Sequence, residues 1–173
     1  MAAFTHVLEY DGGIFTREIG HRADITLFAN TLRLFNGEAP WALSLWALPP
    51  GKTYDKMLTA AEETTAYLQA GGHHDAMTVQ LRKPGGQQWG VASVRYIVGH
   101  SHQGNPPLDV PITLPRSTEM VSRAEVFDAE DAAKLFFDYY TTGEIPSEYS
   151  LRPVEGWTVD GTNVDLRDHL TQS

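Results

Sequence analysis

Seven histidines, His6, His21, His73, His74, His100, His102 and His169, are the residues best suited to chemistry in this chain. His100-x-His102 places two imidazoles on one side of an extended segment, an arrangement that zinc accepts. No cysteine is present to complete such a site. His73-His74 is the nearest further source, but both pairs sit in glycine-rich connections, where solvated loop histidines are expected and no metal ligand is. Gly51-Lys52-Thr53 resembles the end of a phosphate-binding loop, G-x-x-x-x-G-K-[ST]. The required first glycine is Trp46, however, and Pro49 and Pro50 have no amide hydrogen to offer a phosphate. The residues read better as a turn, with Thr53 capping a helix. Adjacent Glu62-Glu63 point apart on a helix and cannot act as a carboxylate pair across a cleft. "GHSHQG" lacks the G-x-S-x-G nucleophile elbow. The H-x-E and P-C-x-x-C signature of zinc deaminases is missing, and "KPGGQQWG" lacks G-x-G-x-x-G and leads into a strand. No catalytic residue and no cofactor are therefore expected.

Composition points the same way. The chain has 173 residues, 42% of them hydrophobic and 20% charged, the values of an ordinary globular domain. No apolar run is long enough for a helical membrane span, and the N-terminus lacks the basic start of a signal peptide. A cytoplasmic protein without cysteine or disulfide is expected. The 22 acidic and 13 basic residues leave a net charge of −9. That surface repels nucleic acid and suits a basic protein partner, whose approach opposite fields accelerate.

The elements that must position these groups follow from spacing. "AFTHVLEY" and "GIFTREIG" flank Asp11-Gly12, a hairpin turn signal. Asp24 caps a helix running through Ile25, Phe28, Leu32 and Phe35 that Gly37 stops. "WALSLWAL" reads as a strand. Tyr54, Met57, Leu58, Ala61, Thr65 and Leu68 predict a second helix over 54–70, ended by Gly71-Gly72. "AMTVQLR" and "QWGVASVRYIVG" predict a hairpin around Lys83-Pro84-Gly85-Gly86, and residues 99–111 a loop. "EMVSRAEVF" reads as a strand. Asp128 then caps a third helix that Gly143 ends, with Glu130 and Asp131 favourable to its dipole. "EYSLRPV" and "WTVDGTNVDL" close the chain as strands. The expected fold is α+β, a single domain over 1–173 with an antiparallel or mixed sheet and about three helices packed mainly on one face. "GEAPWALSL" (37–45) and "GEIPSEYSL" (143–151) share G-E-x-P-x-x-x-S-L, as a repeated helix–turn–strand unit or through convergent turn chemistry.

Residues 118–154, "TEMVSRAEVFDAEDAAKLFFDYYTTGEIPSEYSLRPV", carry a resemblance. A strand, an acidic turn, a helix ending near F-x-x-T-G-x-x-P and a closing strand resemble immunity-protein family one of bacterial polymorphic toxin systems. Thr142, Gly143 and Pro146 stand in the expected places, and "TVQLRKPGGQQWGVASVRYIVG" is similar to the family's central hairpin. The likeness covers roughly 54–154, and residues 1–50 stand outside it as an extension. It implies a non-catalytic antitoxin that binds a cognate protein toxin, commonly a nucleic-acid deaminase, and occludes its active site. Candidate contacts are Asp11, Gly12 and Gly13 at the first hairpin, the loop carrying His100 and His102, and the acidic group Asp128, Glu130 and Asp131. Trp41, Trp46, Trp89, Trp157, Tyr139 and Tyr140 are core residues or interface anchors. Two other readings stay open. One is a small ligand-binding or enzymatic domain built on the 99–107 loop. The other is a homodimeric adaptor, paired through exposed strand edges.

Overall fold

Leu8, Leu45, Leu68 and Leu81 stand opposite one another on four neighbouring strands, and each is almost wholly buried. Alternation along a strand sends such residues to one face, so this leucine row defines the inner side of a sheet. The computed structural model describes residues 4–48 and 66–167. In chain order they form β1 (Phe4–Tyr10), β2 (Phe15–Gly20), α1 (Ile25–Leu32), β3 (Ala42–Ala47), β4 (Tyr67–His73) and β5 (Ala76–Pro84). There follow β6 (Ser93–Gly99), β7 (Val110–Thr113), β8 (Thr118–Val121), α2 (Ala129–Thr142), β9 (Ser150–Trp157) and β10 (Asn163–Asp165). Eight strands make one antiparallel sheet in the order β10-β9-β6-β5-β4-β3-β1-β2, while β7 and β8 pair separately. The fold is α+β, dominated by its sheet. Residues 4–47 supply three of its strands and are integral to it.

Both helices pack on the leucine face. Phe28 and Leu32 of α1 meet Leu135, Phe136, Tyr139 and Tyr140 of α2 in one buried cluster with the strand leucines. The rings of Phe28 and Phe136 lie 5.9 Å apart. Asp24 caps α1 through the N–H of Thr26, Asp128 caps α2 through that of Asp131, and Gly143 ends α2 at φ 77°. The left-handed conformation at Gly143 is one that a side chain resists.

The opposite face is polar towards its middle. Tyr67, Arg82, Arg95 and Glu155 form one cross-strand row. There Arg95 donates to Glu155 and to Gln80, and the Arg82 guanidinium lies 3.7 Å from the centre of the Trp157 ring. Towards one end the β7–β8 hairpin covers this face, burying Ile112 and Val121 against Ile97 and Val154. Beneath it Arg152 of β9 donates from Nε to Glu125 Oε2 at 2.9 Å and from Nη2 to Oε1 at 3.1 Å. The Ser122 amide donates to the same carboxylate at 2.9 Å. Gly99 must be glycine here, because a Cβ would come within 2.6 Å of Ser150 Oγ and 3.0 Å of Glu125 Cγ.

Several expectations need correction. Two helices, not three, occur among the described residues. The helix expected over 54–70 falls largely outside them, as does Gly51-Lys52-Thr53, but its last residues belong to β4. Strand pairing on both sides overrides the helical preference of Leu68, Gln69 and Ala70. Gly71-Gly72 continues that strand instead of stopping a helix. α1 ends before Phe35. The 99–111 loop yields β7 at its end, and the strand expected over 119–127 stops at Val121, where Glu125 captures the Ser122 amide and bends the chain into a 3-10 turn.

Two predictions follow from this packing. Glu125→Ala leaves a guanidinium buried and unpaired, and lowers the unfolding free energy by about 3–5 kcal/mol. Glu125→Leu combined with Arg152→Met loses far less, and urea unfolding of the three proteins measures both effects. The His6 and Tyr140 rings lie 4.7 Å apart, tilted at 53°, and burial holds the imidazole below the ordinary 6.5. The unfolded chain therefore takes up a proton near pH 6.5 that the folded chain still refuses. Thermal stability should fall as pH drops from 7 through that value, and His6→Gln should flatten the decline.

Candidate partner interface

The first turn of α2 gathers three of the carboxylates singled out in the sequence. Asp128 is spent on the cap, its Oδ1 accepting from the Asp131 N–H at 2.9 Å. Glu130 reaches across to α1, where Arg33 donates from Nε at 2.6 Å and from Nη2 at 3.0 Å. That guanidinium holds the Glu130 carboxyl below its ordinary 4.5. Asp131 Oδ2 lies 3.9 Å from Nε2 of His100.

His100 comes from a distant stretch of chain, seated by its own N–H, which donates to Ala124 O at 2.7 Å. Its ring stacks on Phe127 at 4.5 Å and lies 5.9 Å from Tyr149. Tyr149 lines a cleft of about 490 Å³ with Leu81, Lys83, Tyr139, Ile145 and Pro146. Burial pushes the Tyr149 hydroxyl above its ordinary 10.0, and the charges of Asp131, Glu148 and Asp138 push it further. The charges of three carboxylates thus act on a half-exposed ring that lines an open cleft. Ring faces and carboxylate acceptors together suit a guanidinium or ammonium group.

The fold therefore brings His100, Asp128, Glu130 and Asp131 into one corner. His102 lies half-buried on the adjoining loop, its Nδ1 enclosed without a hydrogen-bond partner. Asp11, Gly12 and Gly13 form a separate feature, the turn between β1 and β2. Asp11 sits at φ 51°, and its Oδ1 accepts from the N–H groups of Trp41 and Ala42 at 2.8 and 3.1 Å. Its carboxylate organises the start of β3 instead of facing outward. Gly12 and Gly13 are exposed, and so are Ile14 (86%) and Phe15 (62%) directly after them.

Sequence reasoning missed Tyr149, Asp138 and Glu148 as members of the corner. Their signal was the closeness of Asp138 and Glu148 in sequence to an aromatic-rich helix end, but nothing local ties their charge to Tyr149. Among the aromatics, Tyr140 is structural: its hydroxyl donates to Gly20 O and accepts from the Ala23 N–H. Trp46 is buried and donates from Nε1 to Glu9 at 3.0 Å.

The electrostatic account of the corner can be measured directly. Tyr149, labelled at Cζ and followed by NMR, should ionise above pH 10.0. Asp131→Asn with Asp138→Asn should bring its midpoint down towards the ordinary value, by removing negative charge that opposes the phenolate. Compared with known proteins, the chain matches no family profile, no curated sequence and no solved structure.

Proposed function

We propose that this chain is an immunity protein, a non-catalytic antitoxin that binds a basic cognate toxin and occludes its active site. The observation that carries the reading is the negative field at Tyr149, a ring that lines the cleft. The charges of Asp131, Asp138 and Glu148 all act on its hydroxyl, and Asp131 lies 3.9 Å from His100, whose ring is 5.9 Å from Tyr149. A toxin that grips nucleic acid presents lysines and arginines in its groove, and this corner offers what such groups bind. The net charge of −9 steers the same approach. The sequence resemblance over 54–154 favours a nucleic-acid-targeting deaminase as the toxin and the cytoplasm of the producing cell as the place of action.

Co-expression with the product of the neighbouring gene, followed by size-exclusion chromatography over a salt series, tests this. A one-to-one complex that weakens as salt rises is expected. Asp138→Lys with Glu148→Lys should raise Kd at least tenfold, about 1.4 kcal/mol, and abolish protection of cells against the toxin. Absence of any complex, or a complex indifferent to salt and to charge reversal, would overturn the reading.

A further inference from the structure

The turn between β4 and β5 holds a group of side chains that the partner interface does not use. We propose that His73, His74 and Asp75 bind one divalent ion of the zinc type. Potential ligand atoms of the three residues all lie within 4.8 Å of one another. His73 Nδ1 is 2.7 Å from Asp75 Oδ1, and the two imidazole rings are 4.2 Å apart. A tetrahedral ion with bonds of about 2.0–2.2 Å needs donors about 3.4 Å apart. The triad is thus within about an ångström and a half of a closed site, and rotation of exposed side chains covers that distance.

What makes the site more than three neighbouring polar residues is its frame. His73 pairs with Ala76, so His74 and Asp75 form a two-residue hairpin turn. The His74 N–H donates to Phe35 O at 3.0 Å, and its carbonyl accepts from the Ala129 N–H at 2.8 Å. One residue before the hairpin pair, the Gly72 N–H donates to Trp41 O at 2.8 Å. These bonds fasten the turn to the chain after α1 and to the start of α2. The backbone is held while all three side chains stay exposed and free to close. Two imidazoles and one carboxylate suit zinc, nickel or copper, and disfavour magnesium, which prefers an all-oxygen shell. Water fills the remaining position. From the sequence, His100-x-His102 is the starting pair and His73-His74 the source of its further donors, with solvated loop histidines expected at both. The structure instead gives His73-His74 a third donor in the adjacent Asp75, and His100 is committed to its stack on Phe127.

This inference does not depend on the partner reading, and the test uses the full chain alone. Isothermal titration of chelator-treated protein with zinc chloride should show one ion per chain. His74→Asn and Asp75→Asn should each weaken binding at least about tenfold, while His100→Asn with His102→Asn leaves it unchanged. Circular dichroism checks that the variants remain folded, as expected because the turn is fastened through backbone groups. Cobalt in place of zinc should give the visible absorption of a four-coordinate site, absent from the His74→Asn protein. No binding, one ion shared by two chains, equal binding of magnesium, or loss of binding only in the His100/His102 variant would overturn the proposal.

Discussion

The buried pair between Arg152 and Glu125 is the constraint on which the rest of the molecule depends. Each partner alone would be costly, since both charges are almost wholly removed from water. Joined in a two-pronged contact, with the Ser122 amide satisfying the same carboxylate, they hold the chain after β8 against β9. That segment is then sewn to the sheet by backbone bonds. Ala124 accepts from the His100 amide, Phe127 and Met77 exchange two hydrogen bonds, and Ala129 donates to His74. The start of α2, the stack of His100 on Phe127 and the frame of the β4–β5 turn all follow from where this short segment lies.

The molecule divides its labour between two sheet faces. The leucine row and both helices supply apolar burial on one side, where stability scales with area removed from water. The other side accepts a polar interior, with Gln80, Arg95 and Glu155 linked across three strands. Such networks stabilise only when their members are satisfied, so they reward a single register. Shifting a strand by one residue would turn these charges onto the leucine face. The acidic surface is similarly uneven. Asp128 and Glu130 spend their charge on a helix cap and on Arg33, whereas the charges of Asp138 and Glu148 act on the Tyr149 hydroxyl.

What could be read from the sequence was local. Asp24, Asp128 and Gly143 announce helix ends because capping joins residues two to four apart, and Asp11-Gly12 announces its hairpin for the same reason. β4 was hidden because Leu68, Gln69 and Ala70 suit a helix equally well, and only its neighbours β3 and β5 decide the matter. Gly71 misled as a stop signal; its small size instead admits Leu114, 3.3 Å from where a Cβ would stand. β7 was hidden by Pro111, tolerable in a strand of a two-stranded hairpin whose outer edge needs no donor. At the candidate interface the acidic turn of α2 was legible, but the closeness of His100, Asp131 and Tyr149 was not. That closeness comes from β9 lying beside β6, a pairing across the long connection that contains α2.

Hydrogen exchange of the chain with the proposed toxin bound, compared with the free chain, tests the central claim most directly. If the acidic corner is where the proposed toxin docks, protection should rise in the first turn of α2 and in the segment from Gly143 to Tyr149 that leads into β9. Protection confined to the β1–β2 turn, or unchanged throughout, would contradict the account and move the interface away from the Tyr149 cleft.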